Sequence, residues 1–451
     1  MFISYSRTDI AVAKALVEGL SSKGVECWLD ESNIPVGQAF VAQLGEALRK
    51  SDAFLLVDTP ASRASYWVSR EIGASIRYQR EGRYQAVLRA CAPSCRVGEE
   101  SHWDASLTLD ARAHERIAER VSARARPWEA VPEGRSPEGV SIEGNGLGQP
   151  SSWSGRQQEL RMLDEWWHGP TRGAWVQGMG GLGKSGLVQT WITALACLGY
   201  EEPVTATVLH LAGREVVDTA DAIGKLTTWQ TRASGECKLF FLDGYDEAPP
   251  GTDLKGLLQV ALRFGSRIVV TSRGSVPSSF LHEFRSFSLH SLSRRDATAV
   301  LAEFGITGRD GEAVAAELGD HILALQVFAR YVASGERTAA EALEDLRSAR
   351  EGLEAPQPRP SVQGALERSV SALTPAARRA LHALCTVTNP GSAPLVEYDR
   401  VQPELIRELA RAGLIYVDHL ETPTTIAVHP LIRQFVKMSP GDVLEAEPTT
   451  R

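Results

Sequence analysis

Little in this sequence could staple a chain together or hold it in a membrane. Only 6 cysteines occur in 451 residues. Cys91 and Cys95 lie close together, but no second pair follows at metal-ligand spacing, and Cys27, Cys197, Cys237 and Cys385 are scattered, most in apolar stretches. A disulfide framework is thereby excluded, and buried thiols in a reducing compartment are expected. Long apolar runs are missing too. The opening Met1-Phe2-Ile3-Ser4-Tyr5-Ser6 has no charged leader region, so neither a signal peptide nor a membrane span is expected, and the protein reads as cytoplasmic. Positive charge is short as well: the formal net charge is −8, which weighs against a chain that coats nucleic acid. No repeat period marks a solenoid or a propeller.

What is present is ordinary for globular protein, with 43% hydrophobic and 23% charged residues. At about 150 residues per domain, the length predicts about three domains. The strongest signal runs from Trp175 to Ser185. A short apolar strand enters Gly178-Met179-Gly180-Gly181-Leu182-Gly183-Lys184-Ser185, and an amphipathic helix follows with Leu187, Val188, Trp191, Ile192 and Leu195. This is the P-loop pattern. Glycines at 178, 180, 181 and 183 let backbone N–H groups curl around phosphate oxygens, and the helix N-terminus adds partial positive charge. Lys184 is placed to reach the β/γ-phosphates and Ser185 to ligate Mg²⁺. Further on, the apolar strand Lys238 to Asp243 ends in an acid, the position from which the Mg²⁺ of a bound nucleotide is held. Asp246 and Glu247 follow, placed to orient an attacking water. The strand Arg267 to Thr271 precedes Arg273, a cation able to sense a γ-phosphate. A nucleoside di- or triphosphate with Mg²⁺ is the expected ligand.

Before the P-loop, residues 1–126 alternate strand and helix. Phe2 to Tyr5, Val25 to Leu29, Ala53 to Val57, Tyr84 to Ala90 and Ser106 to Leu109 read as strands. Helical stripes carry Val12, Leu16, Val17 and Leu20, then Phe40, Leu44 and Leu48, then Trp67 to Tyr78, and finally His114 to Arg124. Such alternation predicts a parallel, flavodoxin-like sheet that binds ligands beyond the carboxyl ends of its strands. Glu71 is the carboxylate of interest. Trp67 lies one turn earlier on the same helix face; its spacing equally suits core packing, and Glu71 equally suits a solvated first-turn carboxylate.

These residues resemble the TIR (Toll/interleukin-1 receptor) family throughout the segment. Phe2-Ile3-Ser4-Tyr5-Ser6 looks like its first box. Cys27-Trp28-Leu29-Asp30 with Ile34-Pro35-Val36-Gly37 looks like its second strand and BB loop. Ser65-Tyr66-Trp67-Val68-Ser69-Arg70-Glu71 looks like the segment bearing the acid of NAD⁺-cleaving members, with Val68 where Cys is frequent. The resemblance implies catalytic roles for Glu71, Trp67 and Ser65, and NAD⁺ contacts from Tyr5, Ser6, Asp30, Ile34 and Gly37. The implied cleavage of NAD⁺ expels neutral nicotinamide from a cationic pyridinium, so one carboxylate, Glu71, can suffice, bonding ribose hydroxyls as positive charge develops.

Residues 127–150 are rich in proline and glycine and read as a tether. The stretch 151–292 resembles the nucleotide domain of STAND signalling NTPases, its NB-ARC branch above all. Gly155-Arg156 looks like the adenine-side motif, with Gln157 replacing the usual Glu. Asp243-Gly244-Tyr245-Asp246-Glu247 looks like Walker B, and Thr271-Ser272-Arg273 like the sensor segment. Residues 293–355 read as a helical domain, with helices at Asp296 to Phe304, Glu312 to Ala333 and Ala340 to Glu354. There, Gly319-Asp320-His321-Ile322-Leu323-Ala324-Leu325 resembles the family's Gly-x-Pro-Leu-Ala segment beside adenine, with Ile322 for the proline. Residues 356–438 carry helices (Gln363 to Arg368, Pro375 to Leu384, Pro403 to Ala412 and Leu431 to Val436) around a hairpin (Leu414 to Val417, Thr425 to Val428), which suggests a winged helix. His429 alone is retained from the family's Met-His-Asp motif, implying a contact to the β-phosphate of ADP. Residues 439–451 read as a frayed tail.

The fold class expected is thus multidomain α/β: a flavodoxin-like TIR domain, a parallel α/β P-loop domain, a helical domain and a winged helix. The resemblance implies a nucleotide switch: ADP-to-ATP exchange drives homo-oligomerisation through the TIR and nucleotide domains and activates NAD⁺ cleavage, in response to a trigger or sensor partner, as in an immune or cell-death effector. Two other classes fit the same motifs, a non-enzymatic TIR scaffold and an ATP-gated transcription regulator. Mixed charge on the helix bearing Glu404, Arg407, Glu408 and Arg411 argues against the last.

Overall fold

The computed structural model describes residues 1–29, 40–93, 95, 102–123, 155–198, 204–211, 237–248, 251–263, 267–334, 338–344, 366, 369–371, 373–386, 393–394, 402–412, 414–418, 425–428, 432–433 and 435–436. The tether, the tail and the BB-loop stretch lie outside them.

The first unit runs β1 (Phe2–Ser4), α1 (Ile10–Ser21), α2 (Phe40–Lys50), β2 (Ala53–Asp58), α3 (Pro60–Ala64), α4 (Tyr66–Arg80), β3 (Ala86–Cys91), β4 (Ala105–Thr108) and α5 (Ala113–Ser122). Its strands form a parallel sheet in the order β1-β2-β3-β4, with Phe2 opposite Phe54 and Val57 opposite Ala90. Every residue of β2 and β3 is buried, as expected of strands covered by helices on both faces. Residues 25–29, predicted as a full strand, contribute a single bridge, Trp28 to Phe2. Trp28 N–H donates to Met1 O at 2.9 Å, and its ring stacks on Phe2 at 4.9 Å, so ring packing anchors the segment beside β1.

The second unit runs α6 (Gln157–His168), β5 (Gly173–Gln177), α7 (Lys184–Leu198), β6 (Val204–His210), β7 (Cys237–Asp243), α8 (Leu254–Arg263), β8 (Arg267–Ser272) and β9 (Phe284–Ser288). The sheet is again parallel, in the order β6-β7-β8-β5-β9. The motif strand β5 is therefore internal, and Gln177 and Asp243 end their strands on the same edge. The sequence reading did not foresee α8 or β9. In β9 only Phe284 and Phe287 are buried among polar neighbours, which breaks the strict two-residue alternation expected of a strand.

The third unit begins with α9 (Arg294–Ala302), α10 (Gly308–Glu317) and α11 (Ile322–Ser334), followed by α12 (Pro375–Thr386), β10 (Ala393–Pro394), α13 (Pro403–Arg411), β11 (Tyr416–Asp418) and β12 (Thr425–Ala427). One helix was expected from Glu312 to Ala333. The chain instead breaks at Gly319 (φ 61°) and Asp320 (φ 55°), both left-handed. Arg294 holds the Asp320 carboxylate through two bonds of 2.7 and 2.9 Å, and Leu292 N–H donates to Asp320 O, which stabilises a conformation a non-glycine residue disfavours. The expected hairpin forms, with Tyr416 opposite Ala427 and Asp418 opposite Thr425, and β10 pairs with its other edge. Much of the predicted helices 340–354, 363–368 and 431–436 lies outside the described residues. Among the described residues, no helix is long and apolar enough to cross a membrane.

The first two units share one apolar cluster. Leu44, Leu48, Phe54, Trp67 and Tyr78 of the first continue into Leu163, Trp166, Trp191 and Leu195 of the second. Phe54, wholly buried in β2, should be costly to truncate. Phe54→Ala is expected to destabilise the first unit by about 3–5 kcal/mol, read as a lowered urea midpoint by near-UV circular dichroism; a loss below about 1 kcal/mol would contradict this packing.

Candidate functional sites

The phosphate loop is built by its backbone. Gly183 is left-handed at φ 83°, and a Cβ on Gly178 would stand 2.6 Å from Leu289 O, so neither position readily takes a side chain. Lys184 Nζ curls back to donate to Gly178 O at 2.8 Å and Met179 O at 2.9 Å. Burial pushes the Lys184 ammonium below its ordinary pKa, against the opposing pull of Asp246 and Glu247. A desolvated ammonium at the mouth of a glycine loop is suited to a phosphate anion.

Beside it, Asp243 is a buried carboxylate with donors from three directions. Ser185 Oγ donates to Oδ1 at 2.6 Å, Thr271 Oγ1 to the same oxygen at 2.5 Å, and His210 Nδ1–H to Oδ2 at 3.0 Å. Burial alone would raise its pKa; the hydrogen bond and charge of His210, with the bonds from Ser185 and Thr271, outweigh it and hold the carboxyl below the usual range. These residues fit Mg²⁺. The Ser185 hydroxyl donates a hydrogen bond to the carboxylate while its oxygen keeps its lone pairs, so two hard oxygens converge at the loop. Sequence reasoning missed His210 and read Thr271 only as part of the sensor segment. His210 closes the edge strand β6 and Thr271 lies near the end of β8, and the sheet order puts both strands beside β7, whose last residue is Asp243.

Arg273, Asp246 and Glu247 also meet. Arg273 N–H donates to Asp246 Oδ1 at 2.7 Å and its Nη2 to Glu247 Oε1 at 2.5 Å. On the opposite side, Gly155 (φ 86°) and Arg156 (φ 58°) turn the chain into α6. The Arg156 guanidinium is buried and donates to Glu159, to Leu182 O at 3.3 Å within the loop, and to His290 O at 2.5 Å. It therefore pins the loop to the segment that follows β9 and leads into the third unit. His321 Nε2 bonds Gly180 O at 3.3 Å, and Ile322 flanks Gly183. Leu323, expected beside adenine, is buried in the core of the third unit. His429 lies outside the described residues.

In the first unit, Trp67 and Glu71 lie one turn apart on α4, and both point inward: Trp67 is 9% and Glu71 6% exposed. Ser4 Oγ, at the end of β1, donates to Glu71 Oε2 at 2.5 Å. Ser65 caps α4 and accepts from Val68 N–H. Tyr5 is buried, and Ser6 Oγ sits 3.0 Å from Thr8 Oγ1. Asp30, Ile34 and Gly37 lie outside the described residues. A second buried carboxylate, Asp58 at the end of β2, went unread. Arg63 grips it with bonds of 2.7 and 2.8 Å, and Arg89 and Cys91 stand 3.8 and 3.6 Å away. An acid closing an apolar strand, the signal that exposed Asp243, would have found it.

The two units are therefore a flavodoxin-like α/β module and a P-loop nucleotide-binding module. The first carries a TIR domain: the TIR domain family model matches residues 1–119. No curated protein matches the chain. Among solved structures, the chain is similar to a Signal Transduction ATPase with Numerous Domains (STAND) with a tetratricopeptide repeat sensor from Pyrococcus horikoshii, at 17% identity and a TM-score of 0.44, over 66% of this chain and 44% of that one. It thus spans less than half of that protein's length. It is also similar to the Orc1 protein of Aeropyrum pernix, solved in complex with DNA (17% identity, TM-score 0.28, 64% and 94% covered), and to PCH-2 of C. elegans (7% identity, TM-score 0.31, 47% and 66% covered). All three likenesses are remote, and the functional reading rests on this chain's own side chains.

Lys184→Ala removes the ammonium while leaving the glycine cradle. Affinity for ATP is expected to fall about tenfold to a hundredfold, the worth of a charge-assisted bond to phosphate, measured by calorimetric titration. Equal affinity in the variant would mean that the loop does not bind the triphosphate.

Proposed function

We propose that this chain is a nucleotide-switched signalling protein of the TIR–STAND kind, in which exchange of ADP for ATP drives assembly and turns on NAD⁺ cleavage by the TIR domain. The reading divides the chain into a TIR domain (1–126), a tether (127–150), a nucleotide domain (151–292), a helical domain (293–355), a winged helix (356–438) and a tail. The observation that carries it is the convergence of Ser185, Thr271 and His210 on Asp243 at the mouth of a P-loop, in one chain with a TIR domain bearing Glu71.

Lys184 and the loop N–H groups would hold the phosphates, Ser185 and Asp243 the Mg²⁺, and Mg²⁺ when bound would neutralise charge between the β- and γ-oxygens. Arg273 is bound to Asp246 and Glu247, and a γ-phosphate offers it a competing partner, so the third phosphate is the natural discriminator between two states. Slow hydrolysis would use Asp246 and Glu247 to place water. His429 would contact the β-phosphate of ADP in the closed state.

In the TIR domain the bond broken is that between ribose C1′ and the nicotinamide nitrogen. The electron pair leaves with neutral nicotinamide. Water adds to C1′ and loses its proton to solvent, or a ribosyl-adenine nitrogen closes the ring instead. Glu71 would stabilise the cationic ribose through its hydroxyls. Its bond from Ser4 keeps the carboxylate buried in the present arrangement, which suits a resting state.

NAD⁺ turnover by the full chain, measured as nicotinamide released, should be at least tenfold faster with ATP than with ADP and should vanish in Glu71→Gln. No release under either nucleotide, with ATP-dependent assembly intact, would instead make the TIR domain a scaffold.

A further inference from the structure

The TIR domain is packed against the nucleotide unit. Helices α2 and α4 pack directly on α6 and α7 of the nucleotide unit, and the contact has a buried polar centre. Arg70 of α4 forms an ion pair with Asp164 of α6, and Trp191 Nε1–H of α7 donates to the same carboxylate oxygen at 2.7 Å. Arg70 Nε donates to Tyr66 Oη at 3.2 Å, and only 6% of Arg70 is exposed. Around this centre, Tyr66 N–H, an orphan donor of the first turn of α4, is satisfied by Gln157 Oε1 at 2.9 Å, and Arg161 donates to Ala64 O. Trp166, Trp167 and Trp191 form the apolar wall, their rings 5.7 to 6.3 Å apart. At the far end Gly45 of α2 lies on Cys197 of α7. A Cβ at position 45 would stand 2.7 Å from Cys197 Cβ and 3.3 Å from its carbonyl oxygen, so a small residue there needs a slight give and a bulky one must push the helices apart.

The helices that make this seat are the ones whose first turns build the nucleotide site. Helix α7 opens with Lys184 and Ser185, and α6 opens directly after Arg156, which is bonded to Leu182 O. Trp191 is seven positions from Lys184, about 10 Å along a rigid helix. Burial raises the pKa of Asp164, against the pull of Arg70, so this charge is tolerated only while its donors stay in place.

We infer that α6 and α7 form a resting seat for the TIR domain, latched by Arg70, Asp164 and Trp191, which hides the face of α2 and α4 beside Glu71 until a nucleotide change at the start of α7 releases it. This rests on the nucleotide-switch reading above and names its mechanical link. A seated TIR domain presents that face to its own chain and withholds it from a second copy.

The test locks and wedges the seat in the full chain. In Gly45→Cys, oxidation should join position 45 to Cys197 in the ADP-bound protein, after a give of about 1 Å to reach disulfide spacing. The oxidised form should release nicotinamide with ATP at least tenfold more slowly than the reduced form. In Gly45→Leu, a better helix former than glycine, α2 should be prised from α7, giving faster amide exchange in α4 and nicotinamide release without ATP. Failure of the cross-link to form, or an oxidised form as active as the reduced, would overturn the seat. If no form of the protein, wild type included, cleaves NAD⁺, the enzymatic reading falls while the seat is still decided by exchange. ATP-induced exposure of α4 that the cross-link abolishes supports it, and equal exposure in locked and unlocked protein refutes it.

Discussion

A carboxylate removed from water must be given donors, and the described part of this chain is organised around carboxylates that meet that demand. Asp243 takes Ser185, Thr271 and His210; Asp164 takes Arg70 and Trp191; Asp58 takes Arg63 with Arg89 close by. Each brings together elements remote in sequence. Asp243 fixes the loop against three strand ends, and Asp164 fixes one module against the other. An unpaired member of any set would leave a buried charge, so the elements move together or the set breaks as a whole. That gives discrete arrangements in place of gradual ones, the property a switch requires.

The parallel sheets decide where chemistry can happen. In both units strands run the same way and end on one edge, so Ser4 and Asp58 share an edge in the first, and Gln177, His210, Asp243 and Ser272 in the second. Helices then connect the edges across the modules. Helix α7 carries phosphate-binding groups at its first turn, an indole on the inter-module ion pair at its middle, and Cys197 against α2 near its end. The third unit reaches the same loop through His321 and Ile322, at the break that Arg294 and Asp320 stabilise. The loop is thereby contacted from two sides by parts of the chain that could respond to its ligand.

Much of this was legible before any coordinates. The P-loop, the acid at the end of an apolar strand and the strand–helix alternation all arise from local demands: glycine where the backbone must curl, apolar runs where both faces are covered, carboxylate where a cation is to be held. Misreadings have equally local causes. Residues 25–29 look like a strand because all but Glu26 are apolar, yet the described pairing is one bridge held by a stacked tryptophan. The helix expected from Glu312 to Ala333 keeps its apolar period across Gly319 and Asp320, so periodicity could not see the break that a distant arginine supports. Strand β9 hid because an edge strand needs few buried residues.

Composition and motif spacing by themselves determined that the chain holds a phosphate-binding loop with its acidic partner strand, preceded by a TIR-like α/β module. Those features are written in consecutive residues obeying short-range rules. Tertiary structure alone decided that His210 and Thr271 serve Asp243, that Glu71 is turned inward onto Ser4, and that Arg70 is spent on Asp164 across a module boundary. Sheet order and helix packing place those pairs, and both arise from burying apolar faces over long separations, which no window of sequence records.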